Sequence, residues 1–154
     1  MAIFSLALNS WAFAGSVTHQ GADPADHVML ESVSSYATLT QAHFRRINSS
    51  GLKGRTDFEV PPGKALVITD VDFLYTHGLS QDNNTLMLRV NSKPVTLIPF
   101  QLDGTGICVK SHMMNAGVIV GSGAKISAQA VAVGAGQLDR VILRGYLVDT
   151  SVVQ

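Results

Sequence analysis

The chain has 154 residues, of which 46% are hydrophobic and 14% charged, and its 11 basic residues balance 11 acidic ones. Such a length is normally one domain, able to bury roughly two-thirds of its unfolded surface around one core without covalent staples. The sparse, balanced charge supplies no long-range field for nucleic acid or an anionic membrane surface, so neither is expected as a partner.

The first residues read as a targeting segment. Ala2 to Ala14 is mostly apolar and ends in Ala12-Phe13-Ala14 before Gly15-Ser16, which fits the small-x-small pattern of an export cleavage site. A positive leading region is missing, Asn9-Ser10 interrupts the run, and the tract is too short to span a bilayer. We read 1–14 as a signal peptide with a truncated start, cleaved after Ala14, and 15–154 as a single β-sandwich domain; the alternative is an N-terminal strand or arm packed on the body. The expected location is secreted, periplasmic or cell-surface, with no stable membrane span.

Next in the chain, His19, Asp23 and His27 have the i, i+4, i+8 spacing that would align metal ligands on a helix, but Gly21 and Pro24 interrupt it. A solvated loop is the expectation. Ser34 to Arg46 suits a short helix or another strand. Asn48-Ser49-Ser50 and Asn83-Asn84-Thr85 match glycosylation sequons, a pattern common by chance, and both read as turn chemistry.

From Phe58 to Asp149 apolar and polar residues alternate between short turns, the signature of half-buried strands whose successive side chains point to opposite faces. Pro61-Pro62-Gly63-Lys64 is a turn in which proline fixes φ and glycine permits a left-handed conformation. In Ala65 to Tyr75 a strict period of two places Val67, Thr69, Val71 and Phe73 on one face, and Leu66, Ile68, Asp70 and Asp72 on the other. Thr85 to Val90, the turn Asn91-Ser92-Lys93-Pro94 and Val95 to Ile98 form a hairpin pattern. Ile107 to Met114 is another strand candidate, and Val118 to Val120 meets Lys125 to Val133 through Gly121-Ser122-Gly123. In the last strand Val141, Leu143 and Leu147 line one face, and Arg140, Ile142, Arg144 and Tyr146 the other. The expected fold is all-β, an antiparallel sandwich of seven or eight strands. The Gly-, Ala- and Val-rich tract from Ala116 to Gly136 suggests close packing between sheets or between subunits.

Chemistry-bearing residues are thinly spread. Cys108 is the only cysteine, so no intramolecular disulfide forms. It shares a strand face with His112, yet four residues of strand span roughly 13 Å, beyond a direct hydrogen bond between nucleophile and base. Gly121-x-Gly123 lacks a third glycine and a following helix, so it is no nucleotide cradle. Asp70 and Asp72 lie roughly 6.6 Å apart along one strand face, a spacing that suits display, or a calcium site completed by Asp82, better than hydrolysis of a bond held between them. With Tyr75 and Tyr146 as aromatic contacts, Asp70 and Asp72 are the candidate ligand-binding residues. Asp70, Asp72 and Asp82 are the candidate calcium ligands; no other cofactor is expected.

The segment Phe58-Glu59-Val60-Pro61-Pro62-Gly63-Lys64-Ala65-Leu66-Val67-Ile68-Thr69-Asp70-Val71 resembles one found in small exported bacterial β-sandwich proteins, and Val141-Ile142-Leu143-Arg144-Gly145-Tyr146-Leu147-Val148-Asp149 is similar to their closing strand. The resemblance covers roughly residues 55 to 150. It implies a jelly-roll-like fold and export, and it brings no catalytic residues. The expected function is an exported, non-catalytic binding or structural module, with a glycan, a surface component or a protein as ligand and self-association into a homo-oligomer as a special case. The alternative is a hydrolase or cupin-like metalloenzyme, which would need His43, His77 or His112 to converge with a carboxylate.

Overall fold

The computed structural model describes residues 26–33, 42–78, 84–131 and 136–152. The expected leader, His19, Asp23 and Asp82 lie outside the described residues. Within them, the alternating runs become strands: β1 (His27–Val33), β2 (Ala42–Ile47), β3 (Lys64–Thr76), β4 (Asn84–Val90), β5 (Lys93–Phe100), which keeps Pro94 and Pro99 within it, β6 (Cys108–Val120), β7 (Ile126–Val131) and β8 (Gln137–Asp149), followed by a 3-10 turn at Thr150–Val152.

Strand order in the sheet is β5-β4-β7-β2-β1-β8-β3-β6, and neighbours run antiparallel. The order divides into β5-β4-β7-β2 and β1-β8-β3-β6, the interlocked pairing of an eight-stranded jelly roll. Pairing of β1 with β2 joins the halves into one continuous sheet. The expectation of an all-β antiparallel fold with seven or eight strands holds. Edge strands β5 and β6 come together, so the sheet nearly closes on itself like a barrel, and Lys110 Nζ donates to the Pro99 carbonyl across that seam.

Both halves send apolar rows inward. Leu30, Ile68, Val71 and Leu143 meet Phe44, Leu86, Leu88 and Ile98 in one buried cluster. Tyr75 belongs to the same cluster at 2% exposure, and burial pushes its phenol pKa above the usual value. Only glycine fits opposite it, because a Cβ at Gly136 would come within 2.0 Å of the Tyr75 hydroxyl oxygen. The buried Ser32 lies just past the end of the β1–β8 ladder, where its Oγ accepts a 2.8 Å hydrogen bond from Val141 N. That bond satisfies a buried donor the ladder leaves over.

The structure corrects the face assignment in β3. Two steps along β3, from Ile68 to Asp70, match one step along β8, from Gly145 to Arg144. This β-bulge inserts Thr69 as an extra residue and reverses the parity beyond it. Leu66 and Ile68 therefore share the interior with Val71, Phe73 and Tyr75, while Asp70 and Asp72 stand on the outer face. Opposite the bulge, β6 loops out between Met113 and Val118, with Gly117 at φ 66°. Gly145 permits the close approach of β8, since a Cβ there would sit 2.0 Å from the Val67 carbonyl oxygen.

The turns match their residues. Val90 pairs with Lys93, and the intervening Asn91 and Ser92 adopt φ of 49° and 65°, the left-handed pair that a two-residue hairpin of type I′ requires. Gly63 closes the proline turn at φ 75°. In the tract from Ala116, the small side chains of Ala124 and Ala128 are buried in the core. Of the segment Ser34 to Arg46, expected as a short helix or a strand, the described part is strand, β2. β1 carries its own alternation, with Val28, Leu30 and Ser32 inward.

Candidate functional site

The Thr69 bulge also lines a groove of about 820 Å3 where the end of β2 and the start of β1 meet the middle of β3 and the Arg144–Gly145 stretch of β8. Its floor is apolar or bare backbone, supplied by Val28, Met29, Ile47 and Gly145. Its polar walls come from Arg46, Asp70, Arg144 and His27. Strand pairing sets Asp70, Arg144, Met29 and Ile47 in one row, because Asp70 is the register partner of Arg144, Arg144 of Met29, and Met29 of Ile47; Arg46, the register partner of Leu30, lines the groove from the end of β2.

Hydrogen bonds hold the walls. Thr69 Oγ1 donates to Asp70 Oδ2 at 2.6 Å and lies 3.3 Å from the Arg144 carbonyl. One Arg46 Nη donates to the His27 carbonyl at 3.2 Å. The β2 end of the groove is an Asx-type turn: Asn48 Oδ1 accepts from Ser50 N at 3.1 Å, Ser50 Oγ at 2.7 Å and Leu52 N at 2.9 Å. This is the turn chemistry expected of Asn48-Ser49-Ser50, and it fixes the loop without using the groove's charged groups.

Charge along the outer face is arranged in alternating partners. Asp72 pairs with Arg144, Arg140 Nε lies 3.3 Å from Glu31, and Lys53 Nζ lies 3.2 Å from the same carboxylate. These side chains are partly exposed, so each pair contributes about 0–1 kcal/mol. The value of the Asp72 pair lies in position: it holds Arg144 at the groove wall, on the strand position that faces Asp70.

The residues singled out from sequence scatter. Asp70 lines the groove, whereas Asp72 stands beside it with its charge matched by Arg144, an arrangement that weakens the pair as a cation site. Tyr75 points into the core rather than toward a ligand surface. Tyr146 is on the outer face of β8 between His27 and Val67, at 9% exposure. Asp82, the third candidate calcium ligand, lies outside the described residues, and among those described no group of three His, Cys, Asp or Glu side chains is placed to hold a metal ion.

The histidines do not share a side of the sheet. His43 is exposed on the outside of β2, while His112 belongs to the inward row of β6 opposite Val71. His77 follows β3, with Nδ1 2.8 Å from Thr76 Oγ1. Cys108 and His112 lie on one strand row as their spacing implies, and burial raises the Cys108 thiol pKa, which disfavours the nucleophilic thiolate. Sequence reading missed Arg46, Arg144 and His27 as neighbours, because nothing local announces that the end of β2, the start of β1 and an inner stretch of β8 meet at one place.

No family model and no curated protein matches the chain. Among solved structures it is similar to dimeric latent PorU from Porphyromonas gingivalis, with 12% sequence identity and a TM-score of 0.40 over 80% of this chain and 13% of that one. A likeness of that degree carries no inference. No helix among the described residues is long and apolar enough to cross a membrane.

Proposed function

We propose that the chain is an exported, non-catalytic binding or structural module that takes a glycan in the groove between Arg46 and Asp70. The observation that carries the reading is the juxtaposition of an apolar floor with guanidinium and carboxylate walls. Such a site matches a sugar, whose C–H face lies on aliphatic surface while its hydroxyls bridge fixed donors and acceptors. Arg46 and Arg144 donate and Asp70 accepts, so both sides of a hydroxyl are served. A secreted, periplasmic or cell-surface location is part of the proposal and rests on the Ala12-Phe13-Ala14 pattern.

The test is a glycan array followed by calorimetry on the purified chain. A binder whose affinity falls about tenfold or more in Arg46→Ala and in Asp70→Ala, with melting temperatures unchanged, supports the groove. Chelating divalent cations leaves that affinity unchanged, because Arg144 rather than a cation balances Asp72. An array without binders, or binding indifferent to both substitutions, overturns the reading.

A further inference from the structure

We propose that the outer face of β6, with the adjoining β5, is a contact surface for a second copy of this chain. Edge strands of stable monomers usually show charge or proline to solvent. β6 is inverted. Its inward row carries Lys110 and His112, while the outward row of the same strand shows Val109 at 79%, Met113 at 76% and Ile119 at 55% exposure. The outward residues between them, Ser111 and Asn115, are uncharged. Across the seam that Lys110 bridges to Pro99, β5 adds Leu97 at 60% exposure.

Charge at the margin of this strip selects the partner. On the β3 side it borders Asp70, the register partner of Met113, and Asp72 with Arg144, beyond which stand Glu31 and Arg140. Acids and bases mix along it, so the margin offers nothing to a strongly acidic or basic partner and is complementary to itself. A twofold axis through such a patch places apolar row on apolar row and mixed charge on mixed charge. The chain as a whole has no net charge, so copies do not repel one another at long range. A strip 13 residues long and two strands wide covers roughly 400 Å2 per copy, about half of the roughly 800 Å2 per partner of a standard interface, the size of a weak, concentration-dependent dimer.

The test is sedimentation of the full chain across a concentration series, beside a Val109→Lys/Met113→Lys double variant. A wild-type dimer whose dissociation constant rises about a hundredfold or more in the double variant supports the proposal. Both side chains point outward, so the double variant keeps the wild-type melting curve. If it does not melt cooperatively, the milder pair Val109→Thr/Met113→Gln takes its place, with a weakened dimer expected. Wild-type chains that stay monomeric at every concentration, or dimers indifferent to whichever pair folds, overturn it. Glycan binding at Arg46 and Asp70 is measured separately, so neither result stands in for the other.

Discussion

Phe73 on β3 and Phe100 on β5 meet edge to face, with ring centroids 5.1 Å apart. They come from opposite halves of the jelly-roll order, and Phe100 also lies 5.3 Å from the Tyr75 ring. The aromatic contact therefore ties the two halves beside the seam, where β5 and β6 share no backbone ladder. Phe100→Ala should destabilise the fold by about 3–5 kcal/mol, read as a lower urea midpoint. Leu52→Ala, at a side chain 67% exposed, should stay within about 0.5 kcal/mol of the parent.

Gly145 lets β8 pass close against β3. A methyl group there meets a backbone carbonyl that cannot rotate away, so Gly145→Ala should cost about 2–4 kcal/mol. Gly121→Ala is the comparison, since a Cβ at that position has nothing within 4 Å. Equal melting temperatures for the two variants would show that the strands have room to separate.

Ser92 holds a left-handed conformation without being glycine. Its carbonyl accepts from Arg89 Nε and Nη at 3.0 and 2.7 Å, bonds that any residue retains. Ser92→Gly should raise stability by about 0.5–1 kcal/mol, since the relief of strain exceeds the added freedom of the unfolded chain. Thermal unfolding checks this, and a drop in melting temperature would refute it.

Acid should loosen the β5–β6 loop. Asp103 Oδ1 accepts from Thr105 Oγ1 at 2.7 Å, then from Ile107 N and Thr105 N at 2.9 Å each. The Thr105 hydroxyl first, and the backbone amides after it, hold the Asp103 carboxyl below its ordinary value. A carboxylate depressed in the folded state stabilises above its unfolded pKa and loses that contribution as pH falls through the lower, folded one. Amide exchange at Thr105 and Ile107 should therefore speed up, relative to the rest of the fold, below about pH 4. In Asp103→Asn that pH dependence should be absent.

How much of this was legible in the sequence follows from what periodicity can see. The hairpin at Asn91-Ser92 and the alternation of β8 were readable because turn residues and inward Val141, Leu143 and Leu147 signal locally. The face of Asp70 was not, because one inserted residue at Thr69 flips parity without changing composition. β1 was not legible because the loop-forming residues Gly21 and Pro24 stand just ahead of it in the sequence and mask its short alternation. The groove was invisible for a different reason: Arg46 and Arg144 are 98 positions apart in the chain, and only the order of strands makes them neighbours.

The Ser32–Val141 bond spans 109 residues, and that span sets an order of events. β1 lies between β2 and β8, so one side of the earliest strand described has no partner until nearly the whole chain has left the ribosome. β3 likewise waits for β6 and β8. Such long closures make folding slow, and a chain cut after Val131 should keep β1 and β3 open along one edge each, ready to join a neighbour instead of their own last strand.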